Sequence, residues 1–170
     1  MKFLETMLPY FQGEKLEALI FILPIGFLCF VFGAWLLSEA QPGFFKGVAI
    51  PFVAMGLALT IVGATVGFRT PDQTLKIQQS YRFDQAATIE SEIVRMEKVN
   101  KAWNVYLTAW LIFTIVGLGL RFLTHSEFLR GIGIALVFFA GIGLMIDGFA
   151  ERRARIYFEA LIEEKIKLKI

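Results

Sequence analysis

Thiols and imidazoles are nearly missing, with Cys29 and His125 the only cysteine and histidine in 170 residues. One of each cannot close a disulfide within the chain or build a thiolate and imidazole metal site alone, so neither a disulfide scaffold nor a metal centre or cofactor is expected. Charge is scarce too: Asp, Glu, Lys and Arg make up 19% of the chain, and the formal net charge is +2. So small an excess, without a clustered patch, points to no nucleic-acid partner. The chain is instead 56% hydrophobic, and its apolar residues come in long uncharged blocks that exclude a disordered or collagen-like chain.

Crossing a hydrocarbon core takes about 20 mostly apolar residues at about 1.5 Å of helix rise each. Four segments meet that test: residues 18–37, 47–68, 103–120 and 131–148. The expected fold is all-α, an integral membrane bundle of four transmembrane helices with helical extensions at 71–102 and 149–165. Residues 18–37 are too long for a cleaved signal peptide and end in Trp35, Leu36 and Leu37 instead of a small-residue cleavage site. Lys and Arg distribute unequally about these spans. Lys2, Lys15, Arg69, Lys76, Arg82, Arg95, Lys98, Lys101, Arg152, Arg153, Arg155, Lys165, Lys167 and Lys169 share one face, and Lys46, Arg121 and Arg130 the other. By the positive-inside rule both termini and the central segment are cytoplasmic, in a bacterial inner (cytoplasmic) membrane.

Outside the spans the signals are local. Phe3, Leu4, Met7, Leu8 and Phe11 share a helical face that suits an interfacial helix lying flat, or else a frayed terminus, interrupted by Pro9 and Gly13. Thr70, Pro71, Asp72 and Gln73 carry the signature of a helix start, although residues 75–83 alternate like a strand. From Asp84 onward Ile89, Ile93, Met96, Val99 and Trp103 recur at helical steps, predicting a helix that continues into the third span. That stripe needs cover. Ala154, Tyr157, Phe158, Leu161 and Ile162 form a matching face, so the two extensions either pack together or offer Ile89, Ile93, Met96, Tyr157 and Phe158 to a partner or a second copy. Residues 165–170 alternate fully and suit an edge strand, a basic tail on anionic lipid or a fraying helix end. Thr124, His125, Ser126 and Glu127 have capping-box spacing before the fourth span.

Small residues seven or eight apart allow close helix approach in a bilayer. Gly26 and Gly33, Gly56 and Gly63, and Gly133, Gly141 and Gly148 follow that spacing and are expected to pack helices. Polar groups at membrane depth are few: Thr60, Thr65, Thr108, Thr114 and Asp147. The threonines are expected to bond back to their own helices, and Asp147 to pair with Arg152 or Arg153, one turn on. No Ser and His pair, activated cysteine or phosphate-binding Gly loop stands out, so no catalytic residue is expected and the chain reads as no enzyme.

Two functions fit these residues. One is a non-catalytic inner-membrane protein that binds another protein through its spans or cytoplasmic helices; in architecture alone it resembles the small four-span bacterial immunity proteins that block toxins in the membrane, or a regulatory protein. The other is a subunit of a homo-oligomeric channel or small transporter, with Thr60, Thr65, Thr114 and Asp147 as its polar residues. The bilayer itself is the common partner, with a protein partner or self-association added in the first case.

Overall fold

The computed structural model describes residues 2–39 and 42–169. Among these, the chain is a bundle of long helices with no strand. Helix α1 (Lys2–Glu17) passes through a widened π-helical turn (Ala18–Ile22) into α2 (Leu23–Ser38), followed by α3 (Gly43–Phe83), α4 (Gln85–Leu123) and α5 (Glu127–Leu168). The continuous helix Phe3–Ser38 and helices α3, α4 and α5 are each long and apolar enough to cross a membrane, as in a multi-pass membrane protein. At about 1.5 Å per residue, α3 to α5 reach about 60 Å, roughly twice a hydrocarbon core. Half of each is thus extension.

The widened turn has a local cause. Pro24 lacks an N–H and its ring crowds the carbonyl four residues back, at Ile20. The chain relaxes by switching hydrogen-bond period, so the Leu23 N–H donates to the carbonyl of Ala18, five residues back. At the far end of the extensions one extended residue, Asp84, makes the turn. Its N–H donates to the Ser80 carbonyl at 2.8 Å, closing α3, and its side chain accepts from the Ala87 N–H at 3.0 Å, capping α4.

The pairs α2 with α3 and α4 with α5 pack most closely, α5 also lies along α3, and α3 and α4 barely touch. Backbones meet at glycine. A Cβ on Gly26 would lie 2.9 Å from the Gly56 carbonyl oxygen, one on Gly33 2.7 Å from the Val53 nitrogen, and one on Gly63 2.6 Å from the Leu23 nitrogen. Gly133 meets α4 at Arg121, 2.9 Å away, opposite Gly117. Gly141 and Gly148 do not share this role: both are exposed and no heavy atom lies within 4 Å of an added Cβ. In their place Gly131 and Gly47 mark the crossing of α3 and α5, and spacing within one span does not reveal such a cross-chain match.

The extensions hold the main core. Phe3, Met7, Phe11, Ile77, Tyr81, Ile89, Ile93, Met96, Ala154, Tyr157 and Leu161 are buried together, with Tyr10 stacked on Tyr157 at 4.6 Å between ring centroids. The N-terminal helix therefore does not lie flat: it packs along α3 and α5 and buries its apolar face in the core they share with α4. Pro9 and Gly13 do not interrupt it, since a single lost hydrogen bond is outweighed by that burial.

Residues 75–83 are helical. Ile77 and Tyr81 are buried four apart while Leu75 and Phe83 are exposed, so the alternation contained a helical step. Thr70 does not start a helix either: α3 runs through it, and its hydroxyl donates to the Val66 carbonyl at 2.6 Å. The capping residue before α5 is Ser126, which accepts from Leu129, while Thr124 bonds back to Leu120. The end of the chain is helix to Leu168, where Lys169 turns left-handed; Ile170 lies outside the described residues.

Introducing Leu at Gly56, where an added Cβ would fall on the backbone of Phe30, is expected to cost about 1–3 kcal/mol or more and to lower the melting temperature in detergent. Gly141→Leu should leave it unchanged. Equal effects at the two positions would contradict the crossing described.

Candidate functional site

The extension core is held by two buried carboxylates, which sequence patterning left unmarked because each sits singly among solvated charges. Glu92 receives three hydrogen bonds from the Arg95 guanidinium, the shortest at 2.8 Å, and one from the Tyr157 hydroxyl at 3.0 Å. Glu164 accepts from Tyr81 at 3.0 Å and pairs with Lys167 at 3.1 Å. Buried carboxylates are tolerated where each oxygen has such donors. Burial pushes the Tyr157 hydroxyl well above its ordinary range, and the adjoining Glu92 charge adds to this. For Arg95, burial alone would weaken its hold on the proton, but the bonds to Glu92 prevail and keep it charged.

Below that core, where charged extensions give way to apolar segments, lies a cavity of about 500 Å³. This is within the usual range for small-molecule sites, about 300–1,000 Å³. It is bordered by α3 and α4 with α5 and the N-terminal helix, in the gap left because α3 and α4 barely touch. Its two ends differ. Met55, Leu59 and Val62 of α3 and Ile146 of α5 line the apolar end; Glu14, Glu17, Arg69, Arg95 and Arg153 line the charged end; Trp103, Tyr106 and Trp110 line its α4 side.

Several of the charged groups are already paired with each other. Arg153 donates to Glu17, and Gly13 makes this possible, since a Cβ there would lie 2.7 Å from the Arg153 Cδ. Arg69 stands 3.7 Å from one Glu14 oxygen. Trp110 donates its indole N–H to Asp147 at 2.5 Å, its ring lying over Gly143 where a side chain would collide. Asp147 thus takes Trp110 as its partner and not Arg152 or Arg153: Arg153 points to the N-terminal helix, and α4 presents a donor at the right height.

Three buried polar atoms have no hydrogen-bond partner among the described residues: Glu14 Oε2, Trp103 Nε1 and Arg153 Nε. All three residues line this one cavity. An acceptor and two donors buried without partners would cost about 1–3 kcal/mol each. Burial raises the pKa of Glu14 above the ordinary glutamate range despite Arg69, Arg95 and Arg153 nearby, and burial likewise raises that of Glu17 despite Arg153.

The other sequence candidates lie elsewhere. Ile89, Ile93, Met96 and Tyr157 are buried in the extension core with Phe158 packed against it, and Phe3, Met7 and Phe11 of the chain's own N-terminal helix share that core. Thr60 donates to the Gly56 carbonyl at 2.8 Å and Thr114 to that of Trp110 at 2.9 Å. Thr65 is exposed on α3, and His125 is exposed between α4 and α5. Asp147 stands out in the sequence as a carboxylate in an apolar segment and Trp103 as the end of the α4 stripe, whereas the meeting of Glu14, Arg69 and Arg153 depends on how separate helices pack.

No family model, curated protein or solved structure matches the chain.

Raised carboxylate pKa values mean that the folded protein holds these protons more tightly than the unfolded chain. Stability is then greatest below the ordinary glutamate range and declines as pH rises from that range through the raised values. Glu14→Gln removes one contribution and is expected to flatten that decline and raise the melting temperature at neutral pH. Thermal unfolding in detergent across this range checks it; an unchanged slope would show that Glu14 is not the group responsible.

Proposed function

We propose that the chain is a non-enzymatic binding protein of a bacterial inner membrane, with both termini cytoplasmic, whose ligand is an amphipathic molecule drawn from the bilayer into the cavity between α3 and α4. The observation that carries this reading is that Glu14, Trp103 and Arg153, each with a buried polar atom that has no partner among the described residues, all line that cavity. Apolar surface on one side and polar groups on the other match a molecule with a tail and a head. The excess of Lys and Arg at this end of the bundle supports a cytoplasmic location, and with it a site at the level of the inner-leaflet headgroups. A protein partner gains no support from the apolar stripe on the extensions, because the chain's own N-terminal helix occupies it.

Native mass spectrometry of protein extracted from its membrane in mild detergent is expected to retain one lipid-sized molecule per chain, and Ala102→Phe or Val62→Trp, filling the cavity, to lose it. If the parent retains nothing, or if both variants are folded and keep the same mass, the reading is wrong. Topology has its own check in a Cys29→Ser background: an impermeant maleimide applied to the periplasmic side should label a cysteine at position 125 and leave one at position 165 unlabelled.

A further inference from the structure

Resting on that reading, we infer that the cavity selects phospholipids whose head carries a primary ammonium group beside the phosphate, as in phosphatidylethanolamine. The residues lining the cavity carry charges of both signs in equal number, Arg69, Arg95 and Arg153 with Glu14, Glu17 and Asp147, and Arg95 is already held by Glu92. A head with a net negative charge finds no surplus of cations there, and a neutral head cannot use groups of both signs. A zwitterion can use both.

The unpartnered atoms make the choice narrower. Trp103 and Arg153 line the cavity and each carries an unpartnered buried donor, Nε1 and Nε; donors of this kind suit phosphate oxygens, the Arg with charge assistance. Glu14 Oε2 is a carboxylate oxygen that asks for a donor, since the other oxygen of that group faces Arg69. An ammonium supplies N–H donors and positive charge together; a trimethylated ammonium supplies the charge with no N–H. Choline lipids therefore leave Glu14 unsatisfied, and glycerol lipids offer hydroxyl donors without the charge.

The direction of the site agrees with this assignment. Along α3 the lining runs from Met55 through Val62 to Arg69, and along α5 from Gly143 through Asp147 to Arg153. Both helices pass from apolar to charged in the same sense, so a lipid enters with its head toward the extensions and its tails alongside the spans. A cavity of about 500 Å³ takes the head and the first part of the chains, and the gap between α3 and α4 leaves the remainder in the bilayer.

The test offers delipidated protein an equimolar set of lipids with identical acyl chains: phosphatidylethanolamine, its N-methyl and N,N-dimethyl forms, phosphatidylcholine and phosphatidylglycerol. Retention is read by native mass spectrometry. Retention is expected to fall stepwise as N–H donors are replaced, reaching about tenfold between the first and the choline lipid, as for one lost charge-assisted hydrogen bond. Glu14→Gln is expected to flatten the series while still binding lipid. Equal retention of all five by the parent, abolished by Ala102→Phe, would overturn the headgroup assignment and leave the lipid site standing. Preference for phosphatidylglycerol would overturn it as well, in favour of simple attraction to the arginines. Retention of none would remove both the assignment and the function it rests on. The methylation series uses the unaltered protein, so its outcome does not depend on any variant folding.

Discussion

A helix that crosses a hydrocarbon layer and continues for as long again must change the company it keeps halfway along. In α3, α4 and α5 that change is abrupt. The apolar segments leave Ile61, Ile115 and Leu144 facing outward, which suits lipid, whereas the extensions turn an apolar stripe inward and charge outward. Three amphipathic extensions leave a hollow along their axis, and a fourth helix has to fill it. The N-terminal segment does so with Phe3, Met7 and Phe11. Most of the architecture follows from that need, including the position of the cavity, which lies where the filled, aromatic part of the bundle ends and the lipid-facing part begins.

Polar chemistry concentrates at the same level for a related reason. A carboxylate deep in an apolar segment is costly and one in free solution is unremarkable; only at the junction can a charge be partly dry and still reach a counter-ion on another helix. Glu92, in the extension core, has its needs met, by Arg95 one turn along α4 and by Tyr157 of α5. Glu14, at the junction, has one oxygen near Arg69 and the other without a partner among the described residues. The first rigidifies the bundle.

How far the sequence discloses this varies with the range of the interaction. The four apolar blocks and the stripe from Ile89 to Trp103 are legible because they repeat along one helix, at the period of that helix. Residues 75–83 misled, since Ile77 and Tyr81 satisfy a step of two and a step of four together. Thr70 and Pro71 look like a helix start to a local rule, but neighbouring helices hold the backbone through them. Gly141 and Gly148 share their spacing with true crossing residues and differ only in having no helix opposite. Arg153, Glu17 and Gly13 form a contact whose members are more than 130 residues apart in chain order, and no pattern within a single segment encodes it.

The widened turn at Ala18–Ile22 carries one further consequence, in the arithmetic of register. Positions seven apart stay nearly in line on a helix, drifting by about 20°, and Phe11 and Ala18 are seven apart, as are Gly26 and Gly33. Between Ala18 and Gly26 there are eight. In an unbroken α-helix eight residues would set the glycines about 80° to one side of the line through Ala18, against about 20° for seven, at about 3.6 residues per turn. A single turn of longer period takes up one residue, so the face that meets the aromatic core of the extensions and the face that meets α3 remain one continuous seam. Pro24, which forces that turn, is in this sense the residue that keeps the two halves of the first helix in phase.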